Sequence, residues 1–258
     1  MTDLHYDVQG TGPVLLLVPG GAGHPMGLGP MTDALADRFT VVTHDPLGLD
    51  HGRLGLPVAE QRVEDWSEGA RRVLDAVLPE GESAYVLGTS SGGIAALDLL
   101  ARHPGRLRHV IAHEPPCVGV LPDGERQLAA FRGVYDTYRA AGLAAAGARL
   151  AAVLEERDPT AAAEPESQPL AAADELTSPM ALFLTRVLRS FSACTPAPTA
   201  SSVPLTVAAG RDSRGQLLHR TAEFVAERTQ GGFVEFPGGH LGALEHPEDF
   251  AGCVAEVL

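Results

Sequence analysis

The sequence predicts an α/β architecture, a mostly parallel central sheet flanked by helices, and three observations carry that reading. Strand-like and helix-like segments alternate through the first half of the chain, the pattern of βα units. Residues 14–18, VLLLV, form a continuous apolar run, as in a strand buried on both faces. Residues 88–92, Gly-Thr-Ser-Ser-Gly, join an apolar strand to a helical stretch through a turn that only small residues allow. With 258 residues and 45% hydrophobic content, the chain can bury a large core.

The elements follow in order. Residues 4–8 read as an edge strand turned by Gly10-Thr11-Gly12-Pro13. After the buried strand 14–18 come a short helix, 30–37, and a strand, 40–43. Residues 58–78 place Val63, Trp66, Ala70, Val73, Leu74 and Val77 on one helical stripe. Strand 84–87 and helix 91–102 follow, the helix stopped by Pro104, and then strand 108–112. From about residue 115 to 202 the texture changes to an Ala-rich stretch with no convincing strand. Helices are expected there at 124–140, 143–156 and 169–192. The sheet pattern resumes with strand 204–209, helix 216–228, strand 233–236 and helix 247–257. The expected organisation is one core, residues 1–115 and 203–258, interrupted by a helical insertion at 116–202.

Composition narrows the function classes. The formal net charge is −14 and the 19 cationic residues are all Arg. Phosphate backbones need clustered cations, so a nucleic-acid partner is not expected, and anionic lipid is equally disfavoured. The first residues lack a basic segment followed by an apolar one, and run 14–18 is far too short to span a bilayer. Cys117, Cys194 and Cys253 form neither a metal pattern nor a disulfide framework, and read as packed thiols in a reducing cytoplasm. No metal or organic cofactor is expected.

The chemistry centres on Gly88-Thr89-Ser90-Ser91-Gly92. A strand-to-helix turn this tight drives its central residue into strained φ/ψ and lifts the hydroxyl beside a helix N-terminus, where negative charge is favoured. Ser90 is the centre, because it alone has Gly at both flanking positions. Through this motif and its context the chain resembles the α/β-hydrolase family over nearly its whole length, within the haloperoxidase- and epoxide-hydrolase-like branch common in actinobacteria. The resemblance implies the α/β-hydrolase fold, a nucleophile–acid–histidine order along the chain, and a helical lid inserted after the sixth strand. Ser90 stands where dehalogenases and epoxide hydrolases of that branch need Asp, so alkyl-enzyme chemistry is not expected.

The remaining machinery is assigned by the same resemblance. His240, in Phe236-Pro237-Gly238-Gly239-His240, is expected as the base that takes the proton of Ser90. Val18-Pro19-Gly20-Gly21 resembles the oxyanion loop, with the backbone N–H groups of Gly21 and Ser91 as donors. Two acids compete. Asp212, after strand 204–209, is favoured, although the common family spacing G-x-x-D puts Ser213 in the acid's slot. Glu114, after strand 108–112, is the alternative. Asp45 reads as structural. His24, Phe131, Tyr135 and Phe183 are candidates for substrate contact. The expected reaction is hydrolysis of a carboxylic ester of an apolar small molecule through an acyl-enzyme, and the resemblance to actinobacterial enzymes implies an acylated secondary metabolite. Hydrolysis of a lactone, thioester or C–C bond, perhydrolysis, and non-enzymatic ligand binding stay open beside it, and so does a homo-oligomer.

Overall fold

In the computed structural model of the protein, residues 4–21, 28–46, 49, 56–157, 168–198 and 201–258 are described. Seven strands make one sheet in the order β1-β3-β2-β4-β5-β6-β7. They are β1 (Tyr6–Gln9), β2 (Val14–Val18), β3 (Thr40–His44), β4 (Ala84–Thr89), β5 (Leu107–His113), β6 (Leu205–Gly210) and β7 (Gly232–Phe236). Only β1 runs antiparallel, pairing with β3; every other pair is parallel. This is the architecture the sequence predicts. The exposed residues of β1 suit an edge, and the apolar runs of β2, β4 and β6 are buried in the middle.

Helices cover both faces. On one, α2 (Val63–Val77), α3 (Ser91–Arg102) and α8 (Leu217–Thr229) pack a core around Val18, Trp66, Ile94, Val110 and Val207. Val63, Trp66, Ala70, Val73 and Leu74 all lie on the buried stripe of α2, at the spacing that selects a helix. On the other face α1 (Gly29–Ala36) and α10 (Pro247–Val257) bury Met31, Leu35, Phe250 and Val254 against Leu15, Leu17 and Ile111. A short helix, α9 (Gly242–Glu245), precedes α10.

Between β5 and β6 the described residues are helical. Helix α4 (Gly124–Leu154) kinks at Gly142, whose φ of 80° breaks it where the sequence separates two helices. The single helix expected at 169–192 is instead broken into α5 (Ala172–Thr177), α6 (Pro179–Leu182), a π-helical turn (Phe183–Val187) and α7 (Leu188–Ser192). Pro179 forces the break, since a proline cannot continue a helix from its N-terminal side. Ser178 restarts the chain by capping Ala181 N–H at 3.4 Å. Five described strands precede this segment, one fewer than the sixth-strand position the resemblance implies; β5 is the strand that leads into it. The segment has a core of its own, in which Phe131, Val134, Tyr138 and Leu184 pack on Leu217 and Leu218 of α8. It is also joined to the main core, where Phe191 lies 4.6 Å from Trp66, ring centre to ring centre. Among the described residues no helix is long and apolar enough to cross a membrane.

Candidate active site

The central strand β4 ends at Thr89 and α3 begins at Ser91, leaving Ser90 alone to turn the chain. Its backbone has φ 51° and ψ −123°, a conformation that costs a non-glycine residue on the order of 1–3 kcal/mol. Three hydrogen bonds hold the turn. Ser90 N–H donates to His113 O at 2.8 Å, while Ser90 O accepts from Gly93 N–H at 2.9 Å and Ile94 N–H at 3.3 Å. Close approach sets the flanking residues. A Cβ on Gly92 would stand 1.9 Å from Val18 O, and one on Gly20 would stand 2.7 Å from the Cβ of Ser90. The loop after β2 therefore presses directly on the Ser90 turn.

That loop carries one of the two expected oxyanion donors, Gly21. Gly20 N–H donates to Thr89 Oγ1 at 3.2 Å, tying it to the end of β4. Gly21 follows in the left-handed region at φ 60°. Ser91 is the first residue of α3, so its N–H belongs to the set that a helix leaves without an internal acceptor. Its side chain is buried, and its hydroxyl has no hydrogen-bond partner among the described residues.

At the ends of β5 and β6 the two candidate acids sit in different surroundings. Glu114 is fully buried, with φ 42°, and its N–H extends the ladder to Ala208 O at 2.8 Å. Its carboxylate has both oxygens engaged. Oε2 lies 2.8 Å from His240 Nδ1, and Oε1 accepts from Gly210 N–H at 2.9 Å and from the Ser213 hydroxyl. An ionised carboxylate offers only acceptors, so Nδ1 carries the proton of this bond; in the neutral imidazole the lone pair then falls on Nε2, the tautomer a general base requires. Burial would raise the Glu114 carboxyl, but the hydrogen bond and charge of His240 and the bond from Ser213 outweigh it and bring it down to about 2.

Asp212, the acid favoured from the sequence, is not on the imidazole. It is exposed in a short turn after β6, and its backbone N–H, not its carboxylate, reaches the histidine loop, at Gly238 O and 2.9 Å. The physical reason lies in the turn. Residues 211–213 wind as a 3₁₀ helix that turns Ser213 into the protein and leaves Asp212 outside. Ser213 is the buried neighbour of Glu114, and its only signal in the sequence is a hydroxyl in the slot where a carboxylate is usual.

The substrate candidates fare unevenly. Phe131 is 1% exposed and belongs to the packing of the helical segment. Phe183 is partly buried where the core of that segment meets the main core. Tyr135 is partly buried beneath the Arg189 guanidinium, 4.0 Å above its ring. His24 lies outside the described residues. His240 is about a quarter exposed, and Leu241 and Leu244 beside it are exposed apolar side chains. No group of His, Cys, Asp and Glu among the described residues could hold a metal ion.

Comparison with known proteins agrees with this fold. The profile of the Alpha/beta hydrolase family matches residues 15–252. The chain is 30% identical over 257 residues to the uncharacterized hydrolase YraK of Bacillus subtilis strain 168, spanning 99% of this chain and 92% of that protein. Among solved structures it is similar to the enol-lactonase of Burkholderia xenovorans LB400, with TM-score 0.67 and 17% identity over 98% of this chain and 95% of that one. It is likewise similar to a thermophilic esterase from Thermogutta terrifontis, with TM-score 0.65 and 19% identity over 98% and 92% of the two chains. These two likenesses are of fold.

Proposed function

The chain belongs to the alpha/beta hydrolase family, and from that premise we propose that it is a serine hydrolase cleaving a carboxylic ester of an apolar small molecule. Ser90 is the nucleophile, His240 the base and Glu114 the acid. The observation that carries this reading is the pair of Glu114 Oε2 and His240 Nδ1 at 2.8 Å, which orients an imidazole for a serine already lifted on a strained turn.

In this reading Ser90 Oγ attacks the acyl carbon as His240 Nε2 takes its proton. The N–H groups of Gly21 and Ser91 hold the oxyanion. Collapse breaks the acyl–oxygen bond, and His240 returns the proton to the leaving alcohol. Water then attacks the acyl-enzyme by the same two steps, releasing acid and freeing Ser90. Glu114 stays ionised throughout and stabilises the imidazolium. The exposed Leu241 and Leu244 support an apolar substrate, and the described helices between β5 and β6 serve as the lid over it.

A fluorophosphonate probe tests the proposal, since it phosphonylates only an activated serine. The wild type should be labelled at Ser90 and the Ser90→Ala variant should not. Hydrolysis of p-nitrophenyl esters of increasing chain length should accompany labelling and vanish in the same variant. A folded wild type that neither reacts with the probe nor cleaves any ester would overturn the reading.

A further inference from the structure

Burial and hydrogen bonding at Ser213 mark it as more than a turn residue. It is 2% exposed, and its hydroxyl donates to Glu114 Oε1, on the oxygen opposite the one that faces His240. The same hydroxyl lies 2.8 Å from Gly210 O, so its single proton has two acceptors to choose between. A bond to an ionised carboxylate is roughly twice as strong as one to a neutral carbonyl, so Glu114 takes it. Glu114 needs such help. Its left-handed backbone is strained, and a carboxylate on a flexible side chain can rotate either oxygen, or neither, toward the imidazole.

We propose that Ser213 is a positioning residue: with Gly210 N–H it clamps Oε1 of Glu114, so that Oε2 points at His240 Nδ1 and fixes the base. Gly210 N–H alone offers one anchor at 2.9 Å, about which the carboxylate can pivot; the hydroxyl is the second anchor that stops the pivot. The assignment rests on the triad reading above. It adds that the acid on β5 depends on a residue contributed by the turn after the neighbouring strand β6.

The test uses the second-order rate of fluorophosphonate labelling at Ser90, together with the proton NMR resonance of His240 Nδ1–H, which a carboxylate acceptor draws downfield. Ser213→Ala should slow labelling roughly ten- to hundredfold, the range for losing a buried hydrogen bond to a charged group, and should broaden the resonance or move it upfield. Ser213→Thr, which keeps the hydroxyl, should restore both readouts to within about threefold of wild type. Ser213→Val, matching Thr in bulk but lacking the hydroxyl, should behave like Ser213→Ala and separates hydrogen bonding from packing if the alanine variant is unstable.

Unchanged labelling and an unchanged resonance in folded Ser213→Ala or Ser213→Val would overturn the proposal. Equal losses in Ser213→Thr and Ser213→Val would do the same, since only packing would then matter. Failure of the triad reading looks different. A folded wild type that escapes the probe, or a Glu114→Gln variant labelled at the wild-type rate, would remove the triad while the resonance still reports whether Ser213 positions Glu114.

Discussion

Glu114 and Asp212 end neighbouring strands, and their environments differ enough to give them different work. Glu114 is buried with both oxygens bonded, whereas Asp212 is exposed. Glu114→Gln places an amide where His240 Nδ1–H needs an anionic acceptor, so kcat on an aryl ester should fall by about 10⁴, the loss seen when a triad acid becomes an amide. Asp212→Asn should stay within about twofold of wild type, as surface changes do. Steady-state kinetics with circular dichroism on both variants checks the asymmetry, and comparable losses would mean Glu114 is not the orienting acid. Contact between Ser213 and Glu114 allows a sharper experiment. A carboxylate at position 213 would reach one bond past the present hydroxyl, into the space that a truncated Glu114 vacates. Glu114→Ala combined with Ser213→Asp should therefore recover at least about tenfold of the activity lost in Glu114→Ala alone.

At the scale of elements, the turn between β4 and α3 is locked by its neighbours. Gly92→Ala would drive a methyl group to 1.9 Å from Val18 O, and a backbone atom cannot swing aside as a side-chain end can. The helix must move away from β2, and we expect a loss of about 3 kcal/mol in urea unfolding, the upper range for overpacking. A variant as stable as wild type would show that the turn has slack. The helical segment between β5 and β6 is equally embedded. Arg220 of α8 meets Asp123 at 2.7 Å and Glu156 at 2.6 Å, tying both ends of α4 to the sheet layer. Deleting residues 122–197 would strip the cover from Leu217, Leu218 and Trp66, so the truncated protein should aggregate. A soluble, active truncation in size-exclusion chromatography would contradict the embedded role of this segment.

Over the whole molecule, buried histidines should weaken stability on the acid side. His113 sits at the end of β5, its ring 5.1 Å from Phe250 and 6.1 Å from Phe236, with neither nitrogen hydrogen-bonded among the described residues. Burial pushes its pKa from 6.5 down to about 4, against the pull of Glu114 and with the push of His240. The unfolded chain thus binds a proton more readily than the native one. The contribution of His113 is complete above pH 6.5 and is lost as pH falls towards 4, amounting to about 3 kcal/mol. His44 adds a contribution of the same sign, and Glu114, lowered from 4.5 to about 2, adds another in more acidic solution. His113→Phe, which keeps the ring packing, should flatten the fall in urea midpoint between pH 7 and pH 4.5. An equally steep fall would place the acid sensitivity elsewhere.

The sequence by itself determined the elements that local rules govern. The apolar run of β2, the stripe on α2, the Gly-x-Ser-x-Gly turn and the glycines before His240 each need only neighbouring residues to be read, and the sheet with Ser90 at the end of its central strand follows from them. The break at Ser178-Pro179 is also local, a capping serine and a proline inside the stretch expected as one helix. The surroundings of the two candidate acids depend on tertiary structure alone. Two carboxylates at plausible spacings are equivalent along the chain, and the difference between them is burial: the 3₁₀ turn after β6 buries Ser213 and exposes Asp212, while the register of β5 on β6 carries Glu114 to Gly210 N–H and the imidazole. A charge is useful inside a protein only where donors replace its water, and which donors converge is a property of the packed sheet, not of the order of residues.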